Sequence, residues 1–132
     1  MRKPYQQLKV WQTAMDLAVA VYQIARSLPA EERFEMAAQL RRSAVSVPAN
    51  IAEGHGRFSA ADFARHLSIA SGSLRELETV VMLAKRVYSL KAELIAEALR
   101  LAEEVGRMIA GLIRAIHRQE GIGAAKLGPA AL

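Results

Sequence analysis

The chain has no cysteine among its 132 residues. Disulfide staples and thiolate metal sites are therefore excluded, and a cytoplasmic location is the expectation. No run of about 18 apolar residues occurs, so no membrane span or membrane partner is expected. Met1-Arg2-Lys3-Pro4-Tyr5 has no apolar signal core behind it. A glycine-rich phosphate loop is also missing, because Gly54-His55-Gly56 follows a helical pattern rather than a strand. None of the serines has a recognisable base partner. The histidines His55, His66 and His117 lie far apart in sequence. Asp62 and His66 share a helix face, but two ligands without a cysteine or a second carboxylate–histidine pair make a poor metal site. A surface ion pair between them is the expectation. Neither catalysis nor a cofactor or metal is expected.

What is present is a globular composition, 52% hydrophobic and 23% charged, with a net charge of +5. The length suits one domain. Residues 1–118 are expected to form it, with 119–132, rich in Gly and Ala, as a flexible tail. The positive charge permits contact with RNA, DNA or an acidic protein.

The apolar spacing predicts four helices. The first covers residues 8–28, with Val10, Trp11, Ala14, Leu17, Ala18, Val21, Ala25 and Leu28 on one face. The second covers 30–54, with Glu31, Glu32 and Glu35 in its first turns, where carboxylates favour the positive end of the helix dipole. Gly54-His55-Gly56 supplies a left-handed cap. The third begins at Ser59, whose side chain is placed to cap it with Asp62. Its seam runs through Phe63, Leu67, Ala70, Leu74, Leu77, Val81, Ala84 and Tyr88. The fourth covers 91–117, with a seam of Ile95, Ala98, Ala102, Val105, Ile109, Leu112 and Ile116. Short breaks between the helices predict an all-α, antiparallel up-down four-helix bundle. The apolar faces are wide: Met15, Val19 and Tyr22 broaden the first helix, and Leu94, Leu101 and Met108 broaden the fourth. They span roughly half the circumference, against the ~100° of one core-facing stripe. Self-association is the expected outlet.

The second helix carries Pro48 near its middle, which removes a backbone hydrogen bond and predicts a kink. Glu35, Gln39, Arg42, Ser46, Asn50 and Glu53 form a polar stripe along the same helix. It reads either as a solvated face or as a buried or subunit-facing network around the proline. The second reading is favoured, with Ser46 and Asn50 satisfying carbonyls that Pro48 leaves unpaired. Ser46, Pro48, Asn50, Glu53 and Gly54 are thus candidate structural or oligomer-forming residues.

Several passages together resemble one family. They are Leu8-Lys9-Val10-Trp11-Gln12, the block from Gln39 to Pro48, Asn50-Ile51-Ala52-Glu53-Gly54, and Gly72-Ser73-Leu74 with Glu76-Leu77-Glu78. The family is the 23S rRNA intervening-sequence proteins, and the likeness covers roughly residues 8–116. The resemblance implies a helical bundle assembled as a ring, typically a homopentamer. It also implies kinship with the accessory variability proteins of diversity-generating retroelements, which bind nucleic acid and a reverse transcriptase through a basic surface. Glu35-Met36 departs from the family pattern, which more often has a small residue followed by Leu.

Arg100, Arg107 and Arg114 recur every seven residues and are followed by Arg118. Glu97, Glu103 and Glu104 share their face, so the line reads either as a salt-bridged outer surface or as a nucleic-acid contact. Arg2, Lys3 and Lys9 are candidates to extend it. The expected role is therefore a non-enzymatic binding or scaffold protein, with RNA or DNA as ligand. The alternative is an adaptor for a nucleic-acid enzyme such as a reverse transcriptase.

Overall fold

A computed structural model of the chain describes residues 4–57 and 59–127, with side chains through Glu120. Arg2 and Lys3 lie outside the described residues. The elements are α1 (Lys9–Ser27), α2 (Met36–His55), α3 (Ala60–Val87) and α4 (Ala92–Leu127), with 3-10 turns at Pro4–Gln7 and Ala30–Glu32. Among the described residues there is no strand. Helix α1 packs against α2 and α4, and α3 packs against the same two. Residue pairs between α2 and α3 run in opposite senses: Ser46 meets Ser73, Asn50 meets His66, and Gly54 meets Phe63.

The seams read from spacing build the core. Leu67, Ala70, Leu74, Leu77, Val81 and Ala84 of α3 are fully buried, as are Ala98, Ala102 and Val105 of α4. Leu17, Val21 and Ile24 of α1 meet Leu40, Val47 and Ile51 of α2 in the same cluster. Burying one such aliphatic side chain stabilises by about 1.5–3 kcal/mol relative to exposure. Ser59 caps α3, its Oγ accepting the Asp62 N–H at 3.0 Å. Among the described residues no helix is long and apolar enough to cross a membrane.

Three helix ends differ from the sequence expectation. Helix α2 begins at Met36, not at residue 30. After Pro29 the chain makes one 3-10 turn, and Glu35 then leaves helical geometry (φ −110°, ψ −101°). A tertiary tie accompanies the break. The Tyr88 hydroxyl, at the end of α3, donates to Glu32 Oε2 at 2.5 Å, and Glu32 Oε1 accepts the Met36 N–H at 3.3 Å. Glu32 thus serves the N-terminus of α2 from outside the helix rather than from its first turn.

At the other end of α2, Gly56 is right-handed (φ −80°, ψ −5°), so no left-handed cap is used. The Gly56 and Arg57 N–H groups instead reach back to Ala52 O and Gly54 O, both at 3.2 Å. Helix α4 continues to Leu127, nine residues past Arg118, where a tail was expected to begin. No proline stands between Pro48 and Pro129 to stop it, and Ala124, Ala125 and Lys126 favour helix.

Candidate functional site

Helix α2 presents a polar flank to α3. Asn50 Nδ2 donates to Ser46 O at 2.9 Å and to Ser46 Oγ at 3.1 Å. Ser46 Oγ lies 2.7 Å from Ser73 Oγ of α3. Asn50 Oδ1 lies 3.2 Å from His66 Nδ1, and His66 Nε2 lies 3.2 Å from Arg65 Nη2. A guanidinium only donates, so His66 Nε2 is the acceptor and Nδ1 carries the proton given to Asn50. Donation then runs from Arg65 to His66, from His66 to Asn50 and from Asn50 to Ser46, whose hydroxyl shares one further hydrogen bond with that of Ser73. Among the described residues no buried side-chain nitrogen or oxygen lacks a partner.

This network corrects several expectations. Asn50 reaches the carbonyl of Ser46, whereas the carbonyl that Pro48 cannot serve is that of Ala44, four residues before it. His66 is buried between α2 and α3 rather than paired with Asp62 on the surface. Asp62 lies instead 3.8 Å from Arg65 Nε. Glu53 is outside the network. Its carboxylate takes the Arg57 guanidinium at 2.7 Å with both side chains about half exposed. Glu35, Gln39 and Arg42 are exposed as well, so the six-residue stripe divides into two interior members and four exterior ones. Gly54 is buried inside α2, and a Cβ there would stand 2.5 Å from His66 Cβ. Its bare backbone permits the close approach of α3, a role that spacing along α2 alone did not reveal.

The opposite flank of α2 is apolar and open. Met15, Ala18, Val19 and Tyr22 of α1, with Val45 and Pro48 of α2, line a groove of about 390 Å³ with Arg26 beside them. Pro48 itself is buried inside an otherwise continuous helix.

The basic line of α4 separates into two parts. Arg100 bonds Glu97 at 2.8 Å and Glu104 at 3.4 Å, and Arg107 bonds Glu103 at 2.8 Å. The hydrogen bond from Arg100 lowers the pKa of the Glu97 carboxyl, and the guanidinium is raised in turn. Arg114 and Arg118 are exposed and have no ion-pair partner among the described residues. Lys9 lines a groove with Gly111 of α4, so it sits beside this unpaired part of the line. Among the described residues no three His, Cys, Asp or Glu side chains converge as a metal set.

Residues 6–111 match the 23S rRNA-intervening sequence protein family. The chain belongs to that family. A solved structure of an S23 ribosomal protein family member from Bacteroides thetaiotaomicron, described as having unknown function, is similar to it. That likeness has a TM-score of 0.72 and 27% identity, covering 80% of this chain and 95% of the other. Curated proteins give no match. The family match spans α1 to α3 and most of α4, so it includes the polar network and the apolar groove. Arg114 and Arg118 lie beyond it.

Proposed function

We propose that this family member is a non-enzymatic scaffold that binds RNA or DNA as a ring-shaped homo-oligomer, a pentamer, in the cytoplasm. Its protomer is an antiparallel up-down bundle with α2 bent at Pro48. The observation that carries the reading is a set of exposed cations at one end of the bundle, Lys9, Arg114 and Arg118, which have no ion-pair partner among the described residues. Cations already tied to neighbouring carboxylates have less to gain from a phosphate, which sets Arg100 and Arg107 apart from them. A ring repeats the basic patch once per subunit, and linked weak contacts gain in avidity.

The test is binding of a fluorescent RNA and a fluorescent DNA across a salt series. Phosphate-driven binding weakens steeply as salt rises. Arg114→Ala combined with Arg118→Ala is expected to weaken binding and flatten that slope, while Arg107→Ala has a smaller effect. Failure of both nucleic acids to bind at low salt would overturn this reading. The adaptor role would then be pursued with a reverse transcriptase as bait.

A further inference from the structure

We propose that the groove between α1 and α2 receives the outward face of α3 from a second copy of this chain. The proposal deepens the oligomer reading above and rests on it. The groove gathers three of the exposed large apolar side chains on one side of the bundle, others being Phe34, Met82 and Val87 elsewhere. Val19 is 60% exposed, Val45 49% and Met15 41%. These residues also follow a seam of their own. Met15, Val19, Tyr22 and Arg26 step by four, three and four residues along α1. Ala38, Arg42, Val45, Ala49 and Ala52 step by four, three, four and three along α2. Such spacing places each set in a line along one side of its helix, suited to take another helix against it. The alanines keep the α2 side low enough for a helix to lie close.

Helix α3 carries a matching outward line. Ile69, Gly72, Glu76, Thr79 and Leu83 follow the same three- and four-residue steps. Ile69 is 42% exposed and Leu83 is 49% exposed. A Cβ added at Gly72 would meet nothing within 4 Å, so the chain's own packing gives no use for a glycine there. In a helix interior glycine is less stable than alanine by about 1 kcal/mol. Close approach of a second copy supplies a reason for it.

Charge selects how the two surfaces pair. Arg26 lies beside the groove and Arg42 lies one turn before Val45, both exposed. On the outward side of α3, Arg65 is paired with Asp62 and Arg75 with Glu78. Glu76 is exposed and has no ion-pair partner among the described residues. Groove against groove would set arginines against arginines, which disfavours a two-fold dimer. In the groove-to-α3 pairing Glu76 is the acidic partner for these arginines, while exposed Lys85 and Arg86 lie past Leu83 at the end of the α3 line. That pairing is head-to-tail, and a head-to-tail contact builds a ring when its rotation closes.

The test is solution mass by light scattering, with helix content followed by circular dichroism. Val45→Glu breaks the groove, and Gly72→Leu blocks the α3 face at a position where an added Cβ meets no atom of the same chain within 4 Å. Each variant is expected to keep wild-type helix content and fall to the 14.4 kDa monomer. Mixed together, they retain one intact face of each kind and are expected to form a species of two chains. A Glu76→Arg, Arg42→Glu double variant is expected to regain mass that either single change loses. A wild type that assembles while both Val45→Glu and Gly72→Leu keep its mass overturns the face assignment alone. A wild type that remains monomeric at every concentration overturns the oligomer reading beneath it.

Discussion

On the flank of α2 that meets α3, Ser46 and Asn50 are half-buried and joined to buried His66. On the flank that meets α1, Val45 is half-exposed beside the open groove. Polar groups thus face inward on one side, and an apolar side chain faces outward on the other. The inner polar groups are tolerated because each has a partner, since an unsatisfied buried group costs about 1–3 kcal/mol. The outer apolar groups have no cover among the described residues. The first flank therefore fixes how the protomer holds together, and the second points to contact between protomers.

The largest expected effect on protomer stability comes from the inner flank. Asn50→Ala strands His66 Nδ1 and removes the tie to Ser46, and is expected to cost about 2–4 kcal/mol in denaturant unfolding. Near-wild-type stability would show that the network contributes little. Gly54→Ala drives a carbon toward His66 Cβ and is expected to cost about 1–3 kcal/mol, despite the better helix propensity of alanine. An unchanged midpoint would show that α2 and α3 separate readily.

The Tyr88–Glu32 tie gives a smaller, pH-dependent effect. Its hydrogen bond to the Glu32 carboxylate, with burial and the charges of Glu32 and Glu31 behind it, pushes the Tyr88 phenol up to about 12 from 10.0. The neutral phenol is thus favoured in the folded chain. Its stabilising contribution is fully present below pH 10 and is lost as pH rises through about 12. Difference absorbance between wild type and Tyr88→Phe should show one phenolate step near pH 12. A step at 10 would show that the tie is not formed in solution.

The smallest effect is expected at Glu53, one turn beyond Asn50. Glu53→Ala removes an exposed pair with Arg57 and is expected to change stability by less than about 1 kcal/mol. A loss as large as that of Asn50→Ala would erase the distinction between the interior and exterior parts of the stripe.

Much of this was legible from spacing. The seams of α3 and α4 predicted the buried residues because a helix repeats its own face every three or four positions. The pairing of Glu97, Glu103 and Glu104 with arginines was legible for the same reason. The partners of Ser46 and Asn50 were not, since Ser73 and His66 come from another helix. His66 reads as a surface residue beside Asp62 until Gly54 brings α2 against it. The start of α2 is not legible locally, because Pro29 followed by Glu31 and Glu32 carries the signals of a helix N-terminus. The structure instead ties Glu32 to Tyr88, 56 residues away. Nothing in the spacing of Glu53 separates it from Asn50, because an outward and an inward residue differ there by one turn.

The absence of cysteine permits a direct test of the outward flank. One protein carries Val45→Cys, a second carries Gly72→Cys, and the two are mixed and treated with a short bifunctional maleimide. A cross-linked product of one chain of each kind is expected, formed far less when either protein is treated alone. Cross-linking of Val45→Cys only with itself, or no product in the mixture, would contradict the groove-to-α3 pairing.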